Sequence, residues 1–242
     1  MFIDRYYSYE NGTISFTREQ GSDFAKAVAD DYNPLHDIDS KRFCVPGDLL
    51  FSVLLSRYGL NQKMWFTFSG MVTDEVLLHM PETGEQELAI VDENDKEYLS
   101  FHCSGEHSND VKKIENLIRC YVEFSGHSFP HVLIPLMEKE GVMINPSRPM
   151  VIYQSMEIDL LRLDFNRPVL ELDTEKTVLE ANGKKGSICL AFNLIEDNEL
   201  IGRGEKHMVL SGLREYDPQA VKVMVDGYLE HKASMQKLIA AS

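Results

Sequence analysis

The chain has 242 residues, 43% of them hydrophobic, enough for one large globular domain or two of modest size, each with its own core. Its 24 basic and 39 acidic residues leave a formal charge of −15, so a polyanion such as DNA would be repelled over most of the surface, which argues against nucleic acid as a partner. No run nears the roughly 18 apolar residues of a membrane span, Met1-Phe2-Ile3-Asp4-Arg5 does not read as a leader, and four scattered cysteines form no C-x-x-C pair; the expectation is a cytoplasmic protein with no membrane span and no metal site.

Phe2 to Ser8 and Thr13 to Phe16, rich in aromatic and β-branched residues, flank Glu10-Asn11-Gly12 and predict a hairpin. Thr17 with Gln20 suits a capping box, and a helix is expected from Thr17 or Ser22 to Asp30, with Phe24, Val28 and the alanines on its apolar face. Next comes Asp31-Tyr32-Asn33-Pro34-Leu35-His36. Pro34 disfavours the α region for Asn33, so the chain turns here, and an acid at a helix end can converge with an imidazole beyond the turn on one small object such as water. A polar stretch, Asp37 to Cys44, leads through Val45-Pro46-Gly47 into Asp48 to Tyr58, which is apolar almost all round, closes at Gly59 and predicts a buried central helix. Alternating runs at Trp65 to Met71, Glu75 to Met80, Glu87 to Val91 and Tyr98 to Cys103, with turns at Glu82-Thr83-Gly84 and Asp92 to Asp95, predict an antiparallel meander.

The second half repeats that order. Val111 to Phe124 reads as a helix, Ser125 to Pro130 as a turn, and His131 to Glu140 as a second helix closed by Gly141; strands follow at Val151 to Leu161, Val169 to Leu179, Ser187 to Ile195 and Leu200 to Ser211. Ala29-Asp30-Asp31-Tyr32-Asn33-Pro34 aligns on Ser125-Gly126-His127-Ser128-Phe129-Pro130, and His36 with its polar stretch has no counterpart. The expected units are therefore residues 1–106, carrying the motif, residues 107–216, carrying its degenerate copy, and an amphipathic helix over 217–242. That helix opens on Asp217-Pro218 and spaces Val221, Met224, Val225, Tyr228, Met235, Leu238 and Ile239 by threes and fours, for packing on its own chain or on a second subunit.

Asp31 to His36, followed by Arg42-Phe43-Cys44-Val45-Pro46-Gly47-Asp48-Leu49-Leu50, resembles the signature of the MaoC-like (R)-specific enoyl-CoA hydratases, the hydratase 2 family. Their pattern runs S-G-D-x-N-P-L-H, then an overhanging segment, then V-H-G opening a long helix. Here Ala29-Asp30 stands for Ser-Gly, Pro46 for the histidine, and Asp48 follows the glycine; the specific likeness covers about residues 16 to 60. The resemblance implies an α+β double hotdog, two antiparallel sheets each wrapped around a long central helix.

It also implies a lyase of fatty acid metabolism, a hydratase or dehydratase adding water to a trans-2-enoyl thioester of coenzyme A or acyl carrier protein, with the thioester as substrate and no separate cofactor. Asp31 and His36 would activate the water, Asn33 would order the turn, and the Gly47 backbone N–H would polarise the thioester carbonyl. Ser125, His127 and His131 are candidates for a cleft in the second half. His127 and His131 have a metal-ligand spacing, but Pro130 lies between them and no glutamate adjoins. The assembly would be a monomeric pseudo-dimer or a homodimer. The alternatives are a non-catalytic acyl-thioester or lipid-binding hotdog module and a thioesterase, for which Asp48 and Glu123 are poorly placed.

Overall fold

The computed structural model describes residues 1–82 and 87–241, so most of the turn predicted at Glu82-Thr83-Gly84 lies outside the described residues. The chain does not begin as a strand. Phe2–Tyr6 is a 3-10 helix, whose three residues per turn put buried Ile3 and Tyr6 on one side, with Tyr6 edge-on to Phe24 at 5.4 Å. The hairpin survives in shorter form: β1 (Ser8–Glu10) pairs with β2 (Thr13–Ser15) through Asn11 and Gly12, both at positive φ. The expected Thr17–Gln20 capping box opens α1 (Arg18–Ala27). α2 (Gly47–Tyr58) buries every residue from Asp48 to Leu55 and stops at Gly59, whose φ of 82° few other residues adopt.

β3 (Leu60–Phe68), β4 (Leu78–His79), β5 (Glu87–Val91) and β6 (Glu97–Ser108) follow, with β3 and β6 longer and β4 shorter than the alternation predicts; β4, β5 and β6 run as the expected meander, but β3 lies on the far side of β6 instead of beside β4. α3 (Val111–Gly126) starts at Asp110, whose carboxylate accepts the N–H groups of Lys112 and Lys113. α4 (Leu133–Lys139) spans only seven residues, against twelve in α2, and so corrects the expectation of a long central helix in each half. Pro135 has no N–H to close a turn on His131, so the helix cannot start where predicted, and Gly141 at φ 66° ends the segment.

After β7 (Val142–Met143) and β8 (Val151–Leu160), the run predicted as one strand from Val169 divides into β9 (Val169–Leu172) and β10 (Val178–Asn182). The Thr177 N–H donates to the Asp173 carbonyl at 2.9 Å and closes the turn between them. β11 (Lys185–Glu196), β12 (Glu199–Ser211), β13 (Arg214–Glu215) and α5 (Pro218–Ala241) complete the chain.

The pairings are antiparallel and follow the order β1-β2-β4-β5-β6-β3-β8-β12-β11-β10, with β9 also on β11, while β7 and β13 pair apart. The half-sheets are therefore not separate. β3 pairs with β8 from Lys63↔Asp159 to Thr67↔Ser155 and makes one eleven-stranded sheet. Phe51 of α2 packs edge-on against Phe66 of β3 at 5.1 Å and Tyr121 of α3 at 4.7 Å, so α2 is held between sheet and helix. The larger core cluster runs from Ile3 through Leu49–Leu55 and Tyr121 to Phe192 and Ile201, across the β3–β8 join; a smaller one gathers Leu133 and Met137 of α4 against Leu190 and Leu210. This is an α+β double hotdog with its halves fused edge to edge and its second helix cut to two turns. Among the described residues, no helix is long and apolar enough to cross a membrane.

Candidate active site

Beyond α1 the backbone turns at Asp30, whose φ of 52° lies in the left-handed region that aspartate tolerates better than most residues. The Asp31 N–H returns to the Ala25 carbonyl at 2.8 Å, while the Asp31 carboxylate accepts the Asn33 N–H at 2.9 Å. Asn33 then caps the 3-10 turn Pro34–His36 by accepting the Leu35 N–H at 3.1 Å. A helix end and two capped turns thus bring Asp31 and His36 together.

His36 is 9% exposed, with Nδ1 2.7 Å from the Cys44 carbonyl oxygen and Nε2 3.7 Å from Asp31 Oδ2. A carbonyl only accepts, so its partner Nδ1 carries the hydrogen, and in the neutral ring Nε2 presents a lone pair. The Asp31 carboxylate is an acceptor as well. Two acceptors facing each other at 3.7 Å suit a molecule with two hydrogens to give, and water is the smallest. Cys44 takes part through its carbonyl, since burial and then the charge of Asp31 push its thiol up to about 11.

The surrounding charges come from places that sequence spacing did not flag. Buried Lys26 lies 2.8 Å from Asp37 Oδ1 and donates to the His36 carbonyl at 3.3 Å. On the other side Asp37 meets His231 of α5 at 3.1 Å. Lys232 pairs with Asp30 and sits 5.2 Å from the Tyr32 ring centre, and Tyr228 packs edge-on to Phe129 at 4.9 Å. Burial and then the negative charge of Asp31 push the Tyr228 hydroxyl up to about 12. The amphipathic tail therefore packs on its own chain, directly over the Asp30–Asp37 segment.

The two turns that align in sequence also meet in space. His127 lies 3.0 Å from Asp30, and a Cβ at Gly126 would fall 1.7 Å from the Ala29 carbonyl oxygen. Gly126→Ala is accordingly expected to lower stability by about 3 kcal/mol, the upper end of overpacking costs, because the clash is with backbone. A fall in the urea midpoint at unchanged m-value checks this. His131 is exposed and lies outside these contacts.

Gly47 opens α2 under the Tyr153 ring, where a Cβ would lie 2.7 Å from Cδ1. The Leu49 N–H turns back to the Pro46 carbonyl at 3.0 Å, while the Gly47 and Asp48 amides come too early in α2 for an intrahelical acceptor and point toward the helix start. Asp48 at that end is paired. Its Oδ2 accepts from the Ser125 hydroxyl at 2.6 Å, its Oδ1 lies 3.6 Å from Lys206 Nζ of β12, and the same ammonium bonds Ser125 and lies 4.1 Å from the Tyr153 ring centre. The Tyr121 and Tyr153 hydroxyls bond each other, and burial, more than any neighbour, holds both well above the ordinary tyrosine value. Ser125 therefore belongs to a buried network under α2, apart from His127, which faces Asp30. One signal for this network was present: Lys206 alternates with Gly204, Met208 and Leu210 on the inward face of β12, an unusual position for a lysine.

The fold places the chain among α+β proteins of the double-hotdog class. More particularly, it belongs to the family described as "Protein of unknown function (DUF3581)", whose model matches residues 1–219. A search of curated proteins returned no match. Similar solved structures include an acyl-CoA thioesterase II from Mycobacterium marinum, 11% identical with a TM-score of 0.43 over 90% of this chain and 100% of that one. The full-length peroxisomal multifunctional enzyme type 2 from Drosophila melanogaster is 9% identical with a TM-score of 0.44 over 81% of this chain and 47% of that one. A conserved protein of unknown function with hot dog fold from Alicyclobacillus acidocaldarius is 8% identical with a TM-score of 0.43, over 90% of this chain and 99% of that one.

Proposed function

We propose that the protein is an acyl-thioester hydratase or dehydratase, acting on a trans-2-enoyl thioester through Asp31 and His36. The observation that carries this reading is the 3.7 Å approach of His36 Nε2 to Asp31 Oδ2, with Nδ1 already committed to the Cys44 carbonyl. A water donating to both acceptors has its oxygen lone pairs free for attack. As that oxygen bonds the β-carbon, the pair takes one water hydrogen, the C=C electrons move toward the thioester, and a proton is delivered to the α-carbon, so that the elements of water are added across the double bond. The negative charge passing through the thioester oxygen is of the kind that first-turn amides such as that of Gly47 stabilise.

A second reading, a thioester-binding module without turnover, is favoured by the seating of α5 on Asp30 and Asp37. Incubating the full chain with short and medium trans-2-enoyl-CoA separates them. Loss of the conjugated enoyl absorbance, with formation of the 3-hydroxy thioester, is the expected result. Saturable binding with no spectral loss would replace the first reading by the second, and release of free thiol would replace both by a hydrolase.

A further inference from the structure

On the outer face of the sheet, away from α2, Cys189 of β11 stands directly opposite His207 of β12, and Glu205 lies two residues along β12 on the same face. The His207 Nε2 and Glu205 Oε2 atoms are 3.2 Å apart, and Cys189 Sγ and Glu205 Oε2 are 3.6 Å apart. All three ligand atoms lie within 4.8 Å of one another. Around a tetrahedral zinc ion, bond lengths of about 2.3 Å to sulfur and about 2.0 Å to nitrogen and oxygen give edges of roughly 3.3 Å for N–O and 3.5 Å for S–O. The Nε2–Oε2 and Sγ–Oε2 distances match those edges. We propose that Cys189, Glu205 and His207 form a binding site for a divalent cation of the zinc class, leaving one coordination position to solvent.

Four further features support the site. A thiolate, a carboxylate and a neutral imidazole together offer two negative charges to a dication, and the mixed S, N, O set selects borderline metals over calcium or magnesium. All three side chains are partly exposed, so an ion can reach them. The register of β12 against β8 shifts between His207 and Met208, an irregularity of the kind that re-aims a side chain. Glu157, which faces Glu205 across β8 and β12 and accepts the Trp65 indole N–H at 3.1 Å, adds negative potential beside the site. In the metal-free protein burial and then Glu205 push the Cys189 thiol up to about 11. Binding replaces the S–H bond by an S–metal bond and releases one proton to solvent.

Co²⁺ and Zn²⁺ added to the reduced, chelator-treated full chain test the site. One equivalent of Co²⁺ is expected to give a thiolate-to-metal charge-transfer band that vanishes in Cys189→Ala. Zn²⁺ is expected to raise the thermal midpoint, the rise growing with the logarithm of free Zn²⁺ once that exceeds the dissociation constant. His207→Ala should weaken Zn²⁺ binding by more than about 100-fold, beyond the cost of losing a merely supporting residue. Each variant is first matched to the parent in thermal unfolding without metal. A missing thiolate band, a band that persists in Cys189→Ala, or Zn²⁺ affinity unchanged in His207→Ala would each overturn the proposal.

Discussion

Lys206→Met is expected to destabilise the protein by about 3–5 kcal/mol, read as a drop in the urea midpoint, because it leaves the Asp48 carboxylate buried with one hydroxyl partner. Lys206 and Asp48 are both 7% exposed, so water cannot make good the lost charge, and the ammonium also faces the Tyr153 ring. Adding Asp48→Asn to Lys206→Met removes the orphaned charge and should return most of the loss. The coupling in that double-mutant cycle measures the ion pair apart from the packing. A single-variant loss no larger than that of an exposed lysine would mean that the network contributes nothing.

Under the proposed hydratase reading, Asp31→Asn and His36→Ala are each expected to reduce turnover by about 10²–10⁴-fold, the range for a positioned acid or base. The reasons differ. The asparagine side-chain oxygen can still accept the Asn33 N–H and hold the turn, but its NH₂ offers hydrogens where the carboxylate accepts one. Losing His36 removes Nε2 and leaves the Cys44 carbonyl without its 2.7 Å donor, so this variant should also lose some thermal stability while Asp31→Asn loses little. Turnover retained by both variants would detach the chemistry from this pair.

Much of the frame was readable from local rules. The Asn11-Gly12 turn, the Thr17–Gln20 cap, the largely apolar α2 and the Asn33–Pro34 turn are each specified within a few residues, and each formed where its chemistry required. Phe2 to Ser8 also suits a strand on composition, and the turn that buries Ile3 with Tyr6, the latter edge-on to distant Phe24, leaves no local mark; Pro135 limits α4 in a way that apolar spacing hides. The site was legible only in its first layer. Lys232 reaches Asp30 across 202 residues, and His231 reaches Asp37 from the same helix turn; such pairings leave no periodic trace in the tail, whose apolar positions are what spacing reveals. Cys189 and His207 meet through strand register, so a search for short cysteine spacings passes over them.

The contact of the two turns has a consequence for symmetry. Where two identical chains meet about an axis, every substitution appears on both sides, and a residue is retained only if it serves both. Here the turns belong to one chain and obey different rules: Gly126 must lack a side chain because the Ala29 carbonyl occupies the space, while Asp30 keeps a carboxylate that His127 and Lys232 both engage. Tandem linkage releases each side from the other's constraint. One turn retains the acid and the imidazole; the other supplies Phe129 and His127 to the surface on which the C-terminal helix rests.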